Sequence, residues 1–251
     1  MARPLSRDDF RFAIICALEL EYDAVCDSLD EIWGQEGGLG TSTGDLLCYT
    51  TGQIGAHPVV LVLLPGMGKV EAASSATRLR SSYSNLAISF LVGICGAVPQ
   101  PNAETEILLG DVIISKYVVQ YDLGRRNPDG FERKETVDVT LGRPNKDIRN
   151  LAALLNTRLG MGELEGNTLR YLQQLQAKFA NANARHRGIY NYPGREHDRL
   201  FYPKYRHKHY RKGVCEICQN CFAANDPVCK QAPKLSCADL GCSEGALVPR
   251  N

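Results

Sequence analysis

Six of the ten cysteines lie close together near the end of the sequence, and their spacing could support metal chemistry. The pattern is C-x₂-C-x₂-C-x₇-C-x₇-C-x₄-C, preceded by His207 and His209. Thiolates spaced by two residues and imidazoles are ligands that tetrahedral Zn²⁺ prefers, although the whole pattern matches no common zinc module. Free or partly oxidised cysteines and a catalytic thiol are the alternatives. The predicted structural zinc ligands are Cys215, Cys218, Cys221 and Cys229.

Two carboxylates, Glu19 and Glu21, follow the first apolar segment of the sequence. Carboxylates are favourable at helix N-termini, so one of them could serve only to complement a helix dipole. A carboxylate pair beside a pocket could instead position a water molecule as a general base.

Two glycine-containing turns follow other apolar segments. The first, Pro-Gly-Met-Gly-Lys at residues 65–69, is not a P-loop, because Leu63 and Val70 stand where that motif needs glycine and a hydroxyl residue. Its free amides at a helix N-terminus would suit an anion or a ribose oxygen, and the alternative is close packing of helix on sheet. The second, Gly-Ile-Cys-Gly at residues 93–96, lets the backbone approach a flat ligand or forms a structural bulge.

The composition bounds the class of protein. The 251 residues are 44% hydrophobic and 23% charged, with a net charge of +1, which fits one globular domain or a domain with an appendage. Residues 185–212 are rich in basic and aromatic side chains, but the near-zero net charge argues against nucleic acid as a partner. Neither a bilayer-spanning run nor the apolar core of a signal peptide is evident, so we expect a cytoplasmic protein without a membrane partner.

The elements that position these residues follow from the apolar periodicity. Strands are predicted at residues 10–17, 46–53, 58–64, 87–92, 107–115 and 117–121, helices at 19–29 and 70–80, and a glycine-rich loop at 34–44. Continuous apolar strands that alternate with amphipathic helices indicate an α/β fold with a mixed central sheet flanked by helices. Ligands of such sheets collect at the carboxyl ends of the strands, where both glycine turns and Glu21 are expected.

Five ordered segments carry a resemblance to a known family: residues 12–21 (FAIICALELE), 64–70 (LPGMGKV), 91–99 (LVGICGAVP), 109–115 (LGDVIIS) and 118–122 (VVQYD). The series resembles the purine and uridine phosphorylase superfamily, in the fungal branch that is often fused to NTPase or ankyrin-repeat regions. The later segments around residues 192–201 and 247–250 resemble the same branch. The resemblance implies a nucleoside phosphorylase-like fold and cleavage of the N-ribosidic bond of a nucleoside, with purines favoured.

The resemblance also implies roles for particular residues. In hydrolytic members a glutamate four residues after the alanine of the first turn holds the attacking water, and Glu21 has that spacing from Ala17. This spacing favours hydrolysis over phosphorolysis. Neither reaction requires a cofactor, and phosphate is a co-substrate only in the phosphorolytic alternative. A homo-oligomer is compatible with the family resemblance. The residues implied to bind substrate are Ala17, Gly66, Met67, Gly68, Lys69, Gly93, Ile94, Cys95 and Gly96.

One part of the family pattern is not found in this sequence. The family's sugar-binding Glu-Met-Glu segment and the acid that protonates the base are expected beyond the cysteine-rich insert, and this sequence ends at Asn251 without them. We therefore expect a C-terminally truncated domain at residues 8–205 and a basic, cysteine-rich insert and tail at 206–251. A catalytically dead module that binds a nucleoside or a partner is the alternative function.

Overall fold

The computed structural model of the chain describes residues 3–35, 39–101, 105–115, 118, 121–128, 130–134, 144–183, 186–223 and 226–249. The chain divides into two compact units. The first comprises Met1–Gly96 and Ser115–Asn191, and the second comprises Ala97–Ile114 and Tyr192–Asn251. The predicted cysteine-rich segment lies within the second unit.

The first unit is built on a five-stranded mixed sheet with the order β2-β3-β4-β1-β5. Strand β1 pairs in parallel with both β4 and β5, whereas β3 pairs antiparallel with β2 and β4. The predicted α/β class with a mixed central sheet is confirmed. The strands are β1 (Phe12–Cys16), β2 (Glu31–Gln35), β3 (Tyr49–Ile54), β4 (His57–Leu63) and β5 (Ile88–Leu91).

Helices cover both faces of this sheet. Side chains of a strand alternate between its two faces, so β1 contributes to two separate cores. Ala13 packs in a cluster with Leu79 of helix α2 (Lys69–Ser82), whereas Ile14 packs in a second cluster with Val25 of helix α1 (Glu19–Asp27). The continuous apolar character of β1 is explained by this two-sided burial.

The remainder of the first unit consists of a hairpin and two helices. The hairpin pairs β6 (Gly124–Asn127) with β7 (Gly130–Arg133), and α3 (Lys146–Leu155) is followed by the long α4 (Arg158–Ala180). The C-terminal end of α4 is anchored to the end of α1, because Lys178 donates a hydrogen bond to the carbonyl oxygen of Asp27 at 2.9 Å.

The second unit contains little regular structure. Its helices α5 (Glu216–Gln219) and α6 (Cys237–Leu240) are four residues long each, and short 3₁₀ turns lie at Arg195–His197, Ala232–Lys234 and Glu244–Ala246. Its buried cluster is formed by Cys218, Ala232 and Leu240.

Some predicted elements differ from the structure. The strand predicted at residues 107–115 is wrong, since these residues form no strand, and most of the one predicted at 117–121 lies outside the described residues. The glycine-rich loop predicted from residue 34 is wrong at its start, because Gly34 belongs to β2. Among the helices of the described residues, none is both long and apolar enough to cross a membrane.

Candidate functional site

Three turns lie side by side at one edge of the central sheet. Strands β4, β1 and β5 are neighbours and run parallel, with Cys16 paired with Leu63 and Ile15 paired with Leu91. Their carboxyl ends therefore share an edge, and the chain leaves each strand there into a turn. Because ligands of α/β sheets bind at such edges, these three turns form the candidate site.

The carboxylate of Glu21 connects two of these turns. Its Oε2 atom accepts hydrogen bonds from the backbone amides of Ala17 and Leu18, each at 3.0 Å. Its Oε1 atom accepts one from the amide of Ile94 at 2.8 Å. A carboxylate offers about four lone-pair positions, so one position on Oε1 stays available to a further donor such as water or a sugar hydroxyl.

The close approach of Glu21 to the β5 turn requires glycine at position 93. A Cβ atom on Gly93 would lie 2.6 Å from Oε1 and 2.8 Å from the carboxyl carbon of Glu21. Such distances are far shorter than van der Waals contact. Gly93 is therefore needed to let the carboxylate reach the amide of Ile94.

The hydrogen bonds also fix the charge state of Glu21. The bond from the Ile94 amide is the main cause that lowers the pKa of the Glu21 carboxyl, and the amides of Leu18 and Ala17 add to it against the opposing effect of burial. Hydrogen bonds to the charged form favour ionisation. The group therefore presents a fixed negative charge at this edge, although only 9% of the residue is exposed.

Glu19 differs from Glu21 in its surroundings. It is the first residue of α1 and is exposed to solvent. The structure thus separates the two glutamates: Glu21 holds the backbone of the site, whereas Glu19 lies on the surface of the helix.

The turn after β4 supplies the second group of predicted substrate-binding residues. Gly68 precedes α2 with a φ of +121°, a conformation that favours glycine, and Met67 is exposed. Lys69, the first residue of α2, forms an ion pair with Asp122, which the sequence analysis did not predict. The lysine side chain is 70% exposed, so this ion pair is well solvated.

The predicted residues of the third turn lie directly after β5. Ile94, Cys95 and Gly96 are exposed, and a Cβ atom on Gly96 would meet no heavy atom within 4 Å. This turn therefore offers open backbone next to Glu21, which suits the approach of a ligand.

The cysteines of the second unit form two groups with histidines. The ligand atoms of His209, Cys215, Cys218 and Cys229 lie within 4.8 Å of one another, and so do those of His207, Cys237 and Cys242. Three of the four predicted zinc ligands are thus together. The fourth, Cys221, lies outside the group, and its Sγ atom faces the carbonyl oxygen of Asp226 at 3.8 Å.

Comparison with known proteins relates most of the chain to one family. The sequence profile described as "Phosphorylase superfamily" matches residues 11–173. A protein of Hyaloscypha variabilis named nucleotide-binding leucine-rich repeat (NLR)-like protein is 31% identical over 160 residues, which are 61% of this chain and 16% of the relative. A Mycobacterium bovis protein named 5′-methylthioadenosine/S-adenosylhomocysteine nucleosidase is 36% identical over 78 residues, which are 31% of this chain and 28% of the relative. The chain thus spans less than a third of the length of these curated relatives.

Proposed function

Because the chain belongs to the phosphorylase superfamily, specifically its nucleoside phosphorylases and nucleosidases, we propose that it cleaves the N-ribosidic bond of a purine nucleoside by hydrolysis. The observation that carries the proposal is the Glu21 carboxylate, which is held by three backbone amides and keeps one acceptor position on Oε1. The reaction needs no cofactor. The proposed substrate-binding edge is lined by residues of the three turns: Ala17, Gly66, Met67, Gly68, Lys69, Gly93, Ile94, Cys95 and Gly96.

In the proposed chemistry, water is the nucleophile and Glu21 orients it. The C1′–N bond breaks with its electron pair going to the base, which takes up a proton, while a water oxygen forms the new bond to C1′ and the water gives up a proton. A water molecule that donates a hydrogen bond to Oε1 of Glu21 would be oriented for this attack. The fixed negative charge of Glu21 would stabilise the positive charge that develops on the ribosyl group.

Water is favoured over phosphate by the charges at this edge. An ionised Glu21 repels a phosphate anion but accepts a hydrogen bond from neutral water. Residues 65–69 and 93–96 contain one basic side chain, that of Lys69, and its ammonium group already pairs with Asp122. A phosphate nucleophile would need cationic side chains or several backbone amides as donors. This edge therefore suits phosphate less well than water.

The purine preference rests on the mycobacterial relatives. Their names give 5′-methylthioadenosine and S-adenosylhomocysteine as substrates, and both are adenine nucleosides with a sulfur substituent at C5′. The open backbone around Gly96 supports the approach of a flat purine.

The test is a base-release assay with the purified chain. Adenosine, inosine, guanosine, 5′-methylthioadenosine and uridine are each incubated with and without phosphate, and the base and sugar products are separated by chromatography. The proposal expects free purine and a free sugar at a rate independent of phosphate. A sugar 1-phosphate product would contradict hydrolysis. Thermal stabilisation by a nucleoside without base release would contradict the enzymatic function and support a nucleoside-binding module instead.

The fungal relative supports a role within a larger protein. The match covers 16% of the length of that NLR-like protein. We propose that the nucleoside-cleaving domain is the N-terminal effector module of such a signalling protein. An antiserum against residues 11–96 should therefore detect, in the native host, a band much larger than 27.7 kDa. A single band at 27.7 kDa would contradict this role and favour a free enzyme of nucleoside metabolism.

A further inference from the structure

The described residues of the second unit form a small apolar core for the number of short elements that it must hold in place. Among its described residues, Cys218, Cys221, Ala232 and Leu240 are fully buried, and His209 is 8% exposed. Small folds with so little apolar burial usually need disulfides, a metal or oligomerisation to be stable. All six of its cysteines are free thiols in the structure, so a metal bound by these thiols is the cross-link that they can supply.

The four-residue group has the dimensions of a zinc site. The Nδ1 atom of His209 lies 3.5 Å from the Sγ atom of Cys218 and 3.5 Å from that of Cys229. With Zn–N and Zn–S bonds of about 2.1 and 2.3 Å, tetrahedral geometry places nitrogen and sulfur about 3.6 Å apart. One Nδ1 atom facing two sulfurs at equal distance cannot form two good hydrogen bonds, whereas a single metal ion satisfies all of these atoms.

The second group shows an independent sign of metal binding. The Nε2 atom of His207 lies 3.0 Å from the carbonyl oxygen of Leu235, which fixes the proton on Nε2 and leaves the lone pair on Nδ1. That Nδ1 atom lies 3.8 Å from the Sγ atoms of both Cys237 and Cys242. Metal-binding histidines commonly hold their second ring nitrogen in this way.

His207 and His209 contact different cysteines, which explains why two separate histidine–cysteine groups form. The residues are two positions apart on either side of a bend at Lys208, and each imidazole joins a different pair of cysteine-bearing segments. His209 joins Cys215 and Cys218 around α5 to Cys229, whereas His207 joins the two ends of α6.

We propose that this cysteine-rich region binds two zinc ions: one ion at His209, Cys215, Cys218 and Cys229, and a second at His207, Cys237 and Cys242. The first ion has four protein ligands and is structural. The second has three and takes water as its fourth ligand, since His207 is exposed. The metal, rather than the small apolar core, is then the main source of folding free energy for this region.

Basic side chains are suitably placed to balance the charge of the first site. Three thiolates and Zn²⁺ carry a net charge of −1, and a shallow pocket in front of His209 and Cys218 is also lined by Lys208 and Lys212. Their positive charges would offset this excess.

Metal content of the whole chain tests the proposal. The chain is purified without chelators from cells grown with zinc, and its zinc is measured by elemental analysis. The proposal expects two zinc ions per chain, and a chain without stoichiometric zinc overturns it. Retention of two zinc ions by Cys237→Ser overturns the second site, and retention of two by Cys229→Ser overturns the first.

Cys221→Ser is the matched control, because Cys221 is 2% exposed and lies in the same segment but outside both groups. It should retain both ions, while Cys229→Ser and Cys237→Ser each lose one. Replacement of zinc by Co²⁺ in the wild-type chain should give the visible bands of tetrahedral cobalt and a thiolate-to-cobalt charge-transfer band. Absence of these bands would overturn the proposal even if the cysteine variants failed to fold.

A chelator provides a further readout that does not depend on activity. Treatment of the chain with 1,10-phenanthroline should make residues 192–251 sensitive to limited proteolysis, and added Zn²⁺, but not Mg²⁺, should restore protection. Unchanged protection after removal of all metal would contradict the structural role.

Discussion

The Oε1 atom of Glu21 accepts a hydrogen bond from the backbone amide of Ile94 at 2.8 Å, although the two residues are 73 positions apart. The same carboxylate caps its own helix by accepting from the amide of Leu18. One side chain therefore joins the turn after β1 to the turn after β5. This connection makes Glu21 both a structural and a proposed functional residue, and the two roles can be separated by experiment.

Gly93→Ala should destabilise the first unit, because the new Cβ atom would lie 2.6 Å from Oε1 of Glu21 and would push the carboxylate off the Ile94 amide. We expect a loss of about 1–3 kcal/mol in the free energy of unfolding, measured by urea denaturation. Gly96→Ala is the control, since its Cβ would meet no heavy atom within 4 Å, and its change should stay within about 0.5 kcal/mol. Equal effects of the two variants would contradict the close approach.

The pH dependence of stability should report the ionised state of Glu21. Its folded-state pKa is lowered, chiefly by the Ile94 amide, so its stabilising contribution is fully present above the ordinary glutamate value of about 4.3 and is lost as the pH falls through the lower folded value. The difference in unfolding free energy between wild type and Glu21→Gln should therefore be constant from pH 7 to about 5 and shrink below about 4.3. A difference that already shrinks near pH 6 would indicate a raised pKa and contradict the assignment.

The ion pair of Lys69 and Asp122 should contribute little to stability. The lysine side chain is 70% exposed and the aspartate side chain 34% exposed, so water screens the attraction. A double-mutant cycle with Lys69→Met and Asp122→Asn should give a coupling energy below about 1 kcal/mol in thermal or urea unfolding. A coupling energy of several kcal/mol would show that the pair is a main support of the turn after β4.

The core of the fold could be predicted from apolar periodicity, because strands buried on both faces leave continuous apolar runs. This applies to β1 and β4, whereas β5 was predicted from its apolar run although three of its four residues are exposed. The helices α1 and α2 were predicted with small errors at their ends. Strand β2 was missed because it contains Gly34 with a φ of +92° and is interrupted by a bulge between Ile32 and Gly34. The opposite error arose at residues 107–115, where an apolar run has no pairing strand among the described residues.

The edge that carries the candidate site was also predictable, because parallel neighbouring strands place their carboxyl ends together. The detailed contacts were not. The spacing of Ala17 and Glu21 gives no information on the amide of Ile94, which only the folded sheet brings near. Likewise the C-x₂-C spacing made Cys221 a candidate ligand, but α5 ends at Gln219, and His209 is the fourth member of the group instead.

The most direct measurement is the rate of base release from adenosine by wild type, Glu21→Gln and Glu19→Gln in phosphate-free buffer. Glutamine lacks the negative charge and the second acceptor atom of Glu21, so we expect the rate to fall by about 10²-fold or more. Glu19→Gln changes an exposed carboxylate of the same helix turn and should retain the wild-type rate. A folded Glu21→Gln variant that releases base as fast as wild type would contradict the account.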